Sequence, residues 1–137
     1  MRPNKFFPAL AIAIYLISTK CYSKITVEII SGIHSHAEPV RVRCQSKDDD
    51  LGYHSLESQE HMDWQFKPTL LGNTLFFCHF YWNGKDKSIV VYDNNKMYAK
   101  CINRVQRILK CCWKVKADGF YFSNINRRGT YVKMYDW

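Results

Sequence analysis

Val40-Arg41-Val42-Arg43-Cys44-Gln45 changes from apolar to polar at every step, and that period of two decides the class of the fold. Successive side chains of a strand point to opposite faces, so Val40, Val42 and Cys44 face a core while Arg41, Arg43 and Gln45 face water. The pattern recurs on both sides of this stretch. Ile25, Val27 and Ile29 alternate with Thr26 and Glu28, and Met62, Trp64 and Phe66 alternate with His61, Asp63, Gln65 and Lys67. Leu75-Phe76-Phe77-Cys78-His79-Phe80-Tyr81-Trp82 is apolar on both faces, as a central strand would be. Ser88 to Tyr92 is β-branched, and the Asn83–Lys87 join before it carries an Asn-Gly pair that tolerates positive φ, so the two segments predict a hairpin. Cys111–Lys116 and Gly119–Ser123 form a second pair turned at Asp118-Gly119, and Thr130 to Tyr135 reads as a last strand. Short strands separated by turn signals predict an all-β chain, a small antiparallel β-sandwich of seven or eight strands.

One stretch breaks the period. Between Asn94 and Lys110, Ile102, Val105 and Leu109 recur at spacings of three and four, which fits a short amphipathic helix or a long decorated loop. Lys96, Lys100, Arg104 and Arg107 would then share the opposite face. Such a stripe is either a docking surface or a solvated face.

The chain of 137 residues, 47% hydrophobic and 15% aromatic, has the apolar content for one packed domain and is too hydrophobic for disorder. Arg2 and Lys5, the apolar run Phe6–Ile17, and the small and polar residues Ser18, Thr19 and Ser23 follow the order of a secretory signal peptide. As a helix the apolar run spans about 18 Å, short of the ~30 Å hydrocarbon core of a membrane. The expected division is a signal peptide over 1–23 and one sandwich domain over 24–137, exported, extracellular and not inserted in the membrane. Cleavage removes Arg2, Lys5 and Lys20 and no acid, lowering the net charge from +8 to +5. A moderately basic exported domain suits an anionic wall, a membrane surface or an acidic partner.

Five cysteines follow the expected cleavage: Cys44, Cys78, Cys101, Cys111 and Cys112. Small exported domains use cysteines as staples, and these spacings lack the Cys-x-x-Cys of a zinc site. Alternation groups Cys111 with Trp113 and Val115 in the core and leaves Cys112 as the free or surface thiol. Four cysteines allow three connectivities. Cys44–Cys111, tying two interior strands, with Cys78–Cys101 beside it, is the favoured arrangement.

Candidate chemistry is sparse. Asp48-Asp49-Asp50-Leu51-Gly52 clusters carboxylates but lacks the every-other-residue spacing of a calcium loop, and reads as a fixed turn. His34-Ser35-His36 with Glu38 reads as a polar turn rather than a metal site, and His79 as a hydrogen-bonded interior residue. No nucleophile elbow, zincin helix or phosphate-gripping glycine loop is present in the sequence. A basic secreted nuclease would need two converging histidines, of which the sequence gives no sign. The interleaving of exposed aromatic and basic residues that marks nucleic-acid binders is not found either, since Trp64, Phe66, Phe77 and Trp113 read as core.

Cys44-Gln45-Ser46-Lys47-Asp48-Asp49-Asp50-Leu51-Gly52, Trp64-Gln65-Phe66, Thr74-Leu75-Phe76-Phe77-Cys78, Val91-Tyr92, Cys111-Cys112-Trp113-Lys114-Val115 and Asp118-Gly119, in that order, resemble the plant S-protein homologues. These are small secreted proteins related to the stigmatic self-incompatibility determinants of poppies, and the match runs from about Ile25 to Phe122. The resemblance implies a secreted, disulfide-braced β-sandwich without enzymatic activity, acting as a recognition ligand. In the self-incompatible system that ligand meets a pollen membrane receptor and serves the rejection of self pollen. The chain departs from the family pattern where Cys101 lies ten residues before Cys111 and where the stretch after Tyr92 is long, which makes 94–110 its private feature. The sequence contains no N-glycosylation sequon.

The expected product is a monomeric recognition protein whose partner is a membrane receptor or other cell-surface protein. No nucleic acid, cofactor or metal is expected, and Lys96, Lys100, Arg104 and Arg107 are the candidate contact residues. The rival readings are a secreted basic hydrolase and a wall- or carbohydrate-binding defence protein.

Overall fold

A computed structural model describes residues 24–68, 74–104, 107–124 and 130–137. The expected leader, 1–23, lies outside the described residues. Ten strands occur among those described: β1 (Ile25–Ser31), β2 (Val40–Gln45), β3 (Asp50–Leu56), β4 (His61–Phe66), β5 (Leu75–Trp82), β6 (Lys85–Asp93), β7 (Ile102–Asn103), β8 (Ile108–Lys116), β9 (Gly119–Ser123) and β10 (Val132–Tyr135). They form two sheets, one ordered β10-β9-β8-β1-β4 with β7 added on β8, the other ordered β3-β2-β5-β6. The chain is thus an all-β sandwich.

Alternation does what the sequence suggests. Ile25, Val27, Ile29, Val40, Val42, Cys44, Cys78, Phe80, Val91, Cys111, Trp113 and Val115 are buried between the sheets. Phe80 of β5 meets Phe120 of β9 at 4.9 Å, and Phe76 meets Phe66 of β4 at 4.7 Å, so aromatic pairs join the two layers. The Trp113 indole donates to the Val91 carbonyl across the core at 3.0 Å. Trp137 closes one end, 4.7 Å from Phe120 and 6.1 Å from Trp82, its indole donating to the Lys116 carbonyl.

The β5–β6 hairpin forms as expected, with Asn83 and Gly84 at φ of 52° and 74° in a two-residue turn. One pairing departs from the antiparallel expectation: β1 runs parallel to β8, Glu28 beside Cys112 and Ile29 beside Trp113. Parallel neighbours need a long crossover, and here the entire second sheet lies between them in sequence.

Two strands were not expected. β3 is an edge strand that buries only Leu56 deeply, so no alternation announces it. The turn expected over Asp48–Gly52 is instead Ser46–Asp49, closed by Ser46 N–H to the Asp49 carbonyl at 2.7 Å, and Asp50 already belongs to the strand. β7 lies within 94–110 and overturns the helical alternative there. After Asp93 the chain makes turns and a three-residue 3-10 turn, Ala99–Cys101, then Ile102 and Asn103 pair back on Leu109 and Ile108. The apolar residues spaced three and four apart are satisfied by that short hairpin, with Ile102 opposite Leu109; Val105 lies outside the described residues.

The disulfides join Cys44 to Cys78 and Cys101 to Cys111, correcting the favoured Cys44–Cys111 and Cys78–Cys101 pairs. The reason is distance. Cys44 and Cys78 are register partners on adjacent strands, whereas packed sheets stand about 10 Å apart and a disulfide needs its Cα atoms within about 7 Å. Cys112 is unpaired as expected but is no surface thiol: it is fully buried on β8. Burial first, and the Glu28 carboxylate second, push its pKa up to about 11, so the thiol stays protonated at neutral pH.

Candidate recognition face

The outer face of the four-stranded sheet gathers a set of polar aromatic and cationic side chains. Because Val42 and Cys44 point inward, Arg41 and Arg43 point outward. The register sets Arg41 beside Tyr81 and Ser55, and Arg43 beside His79 and Tyr53. Tyr53 thereby receives two guanidinium groups, with the Cζ atoms of Arg41 and Arg43 each 5.1 Å from its ring centroid. Arg41 also lies 5.8 Å from the Tyr81 ring. Exposed cation–π contacts of this kind are individually weak, and they leave the rings and guanidinium groups accessible. Tyr53 remains 54% exposed.

The two arginines differ in freedom. Arg43 Nε and Nη2 donate to the two carboxylate oxygens of Asp50 at 3.2 and 2.5 Å, a bidentate pair. That pairing, with the Gly52 N–H as a second donor, holds the Asp50 carboxyl down at about 2 and raises Arg43. Arg41 instead rests on rings and carries no carboxylate partner among the described residues. Below them His79 stacks on Tyr81 at 4.4 Å, 5° from parallel, and its Nε2 bonds Asp86 at 3.1 Å. Burial, then the neighbouring Tyr53, raises the Tyr81 hydroxyl pKa, so it stays neutral. At the hairpin end the face opens into a shallow recess of about 330 Å³ lined by Glu38, Arg41, Tyr81, Trp82, Lys85 and Asp86.

The arrangement also places a serine, an imidazole and a carboxylate near one another. Ser88 faces His79 in register and Asp86 holds the imidazole, but among the described residues no hydrogen bond joins the Ser88 hydroxyl to the ring.

Two residues hide this face in the sequence. His79 was expected inside; it is hydrogen-bonded, but on the outer face and 35% exposed. Phe77 was expected in the core, yet it shares that outer face and is half-buried. Arg41, Arg43 and Tyr81 could have been found, since alternation on β2 and β5 sends them outward together. Tyr53 carries no such signal, because β3 lacks alternation.

The other predicted residues are scattered. Lys96, Lys100, Arg104 and Arg107 are all exposed, but Lys100 lies in the 3-10 turn, Arg104 follows β7 and Arg107 precedes β8, so they are not a helical stripe. His34 and His36 are exposed in the turn between β1 and β2. His61 faces outward from β4, on the opposite sheet from His79, so these two imidazoles do not converge. No helix among the described residues is long and apolar enough to cross a membrane.

A family model described as plant self-incompatibility protein S1 matches residues 26–137. S-protein homolog 29 of Arabidopsis thaliana is 29% identical over 140 residues, covering 98% of this chain and 96% of the relative. S-protein homolog 24 of the same plant is 30% identical over 80% of this chain and 79% of its own length, and S-protein homolog 5 is 36% identical over 59% and 58%. Among solved structures, a self-incompatibility protein homologue, from a family described as small, highly stable, secreted plant proteins, superposes with a TM-score of 0.57. It is 15% identical, over 85% of this chain and 97% of that one, which shows a shared fold.

Proposed function

The chain belongs to the plant self-incompatibility protein S1 family, and from that premise we propose that it is a secreted, non-enzymatic ligand that binds a cell-surface receptor through the outer face of its four-stranded sheet. The observation that carries this reading is the exposed Arg41–Tyr53–Arg43 stack beside Tyr81. Tyrosine and arginine dominate the residues that contribute most at protein interfaces, because each offers a large, stiff contact area with a polar end. Here both types sit on paired strands, two of them joined by Cys44–Cys78, so the backbone beneath the face has little freedom to lose on binding. The exposed Lys96, Lys100, Arg104 and Arg107 act as an electrostatic guide toward an acidic partner.

The test is binding of the oxidised, refolded protein to plasma-membrane preparations, with capture and identification of the bound receptor. Arg41→Ala/Tyr53→Ala/Tyr81→Ala should weaken binding at least tenfold at unchanged fold. Replacing the four basic residues by Ser should slow association, with an effect that shrinks as added salt shortens the Debye length below about 8–10 Å. Unchanged affinity of the triple variant would sink the face as the contact surface. The setting suggested by the family is the encounter of pollen with stigma, checked by pollen-tube growth with the wild type and the triple variant. A second reading, a wall glycan, draws support from the aromatic-lined recess at Tyr81 and Trp82; a glycan array on the same variants separates it from the receptor.

A further inference from the structure

On the opposite side of the sandwich, we propose that Glu28, His61 and Asp63 form a site for a divalent transition-metal ion, zinc being the best match. The site is built by register. Glu28 of β1 lies directly across from Asp63 of β4, and His61, two residues before Asp63, projects from the same face of β4 opposite Ile30. One ligating atom from each of the three lies within 4.8 Å of the other two, with His61 Nε2 and Asp63 Oδ2 at 3.9 Å. Around a tetrahedral zinc with ligand bonds of about 2.0–2.2 Å, ligand atoms stand about 3.4 Å apart. The remaining gap closes by rotation of His61 and Asp63, whose side chains are half-exposed. Glu28, 14% exposed and on a strand paired on both sides, is the fixed member.

Charge points the same way. Carboxylates directly opposed on neighbouring strands repel. Lys110 Nζ, 3.5 Å from Glu28 Oε2, answers one of the two charges and leaves the other for a bound cation. Cys112, beside Glu28 in register on β8, is a buried neutral thiol and adds no charge. One imidazole with two carboxylates suits zinc, whereas calcium asks for six to eight oxygens, more than this face offers. The fourth zinc position is left to water or to a group from a partner.

Calorimetric titration of zinc chloride into the chelator-stripped protein should give one equivalent bound at micromolar Kd, with magnesium and calcium at least a hundredfold weaker. His61→Ala and Asp63→Asn should each weaken zinc binding at least tenfold, while His34→Ala/His36→Ala leaves it intact. His61 is exposed, so His61→Ala should keep the melting temperature of the metal-stripped wild type and lose only the rise that zinc produces. Zinc affinity unchanged by His61→Ala, loss of the site in His34→Ala/His36→Ala, or wild-type binding only at millimolar zinc would each overturn the proposal.

Discussion

Arg43 and Asp50 show how one pair of side chains ties the recognition face to pH. Asp50 has an ordinary carboxyl value of 3.8 when unpaired and about 2 in the folded chain, because Arg43 and the Gly52 N–H bind its charged form. A depressed carboxyl contributes stability that is fully present above about 4 and is lost as pH falls toward 2. Asp50→Asn should therefore melt below the wild type at pH 5–7 by an amount that does not change across that range. The difference should shrink through pH 4 to 2, and thermal melts at half-unit steps would read it. A constant difference down to pH 2 would mean that the Arg43 contact acts through shape and not charge. The Arg41 and Arg43 directions were legible from Val40–Gln45, whereas the Asp50 partner was not. Three consecutive aspartates look alike in sequence, and only a register shift between Arg43 and Gln45 selects Asp50 to face Arg43. Cys112 is the converse case: alternation correctly separated it from Cys111, but burial of an outward residue depends on what lies over the sheet, which alternation does not report.

Among the elements, those with one buried face announced themselves, and those held by neighbours did not. β1, β2, β4, β5, β8 and β9 follow alternation or apolar runs, while β3 and β7 have no periodicity of their own and exist because β2 offers an open edge and β8 an N-terminal end, Ile108 and Leu109, that neither β1 nor β9 reaches. The 94–104 excursion is held at defined points: Asp93 accepts from the Asn95 N–H at 2.7 Å, Met97 and Cys101 are buried, and Cys101 is bonded to Cys111. The two staples differ in span, 34 residues for Cys44–Cys78 and ten for Cys101–Cys111. In the chain-entropy model they contribute about 4 and about 3 kcal/mol. Cys101→Ser/Cys111→Ser should accordingly lower the melting temperature by on the order of 10 °C, and Cys44→Ser/Cys78→Ser by more. The first variant should also open 94–104 to protease before the sandwich unfolds, since the short clip guards a local segment and the long one joins two core strands. Equal cleavage rates in wild type and Cys101→Ser/Cys111→Ser would show that Met97 and the β7–β8 pairing suffice to hold the excursion.

At the scale of the molecule, the two sheets should unfold as one body, because their contact is aromatic and its central member is also hydrogen-bonded. Trp113 is fully buried, packs edge-on to Phe122 at 5.1 Å, and donates its indole N–H to the Val91 carbonyl of the facing sheet. Its strand also carries the parallel pairing with β1, so Trp113 connects the first strand of the sandwich, its last strands and β6 of the other sheet. Trp113→Phe keeps an aromatic ring but removes volume and leaves a buried carbonyl with one partner fewer. The cavity and the lost hydrogen bond together should cost about 2–4 kcal/mol. The loss should be global: chemical denaturation should shift to a lower midpoint with an unchanged slope, and fluorescence and far-ultraviolet dichroism should report one coincident transition. Separate transitions for the two probes would mean that the sheets unfold one after the other. In that event Trp113 would be a local packing residue and not the point at which the layers are joined.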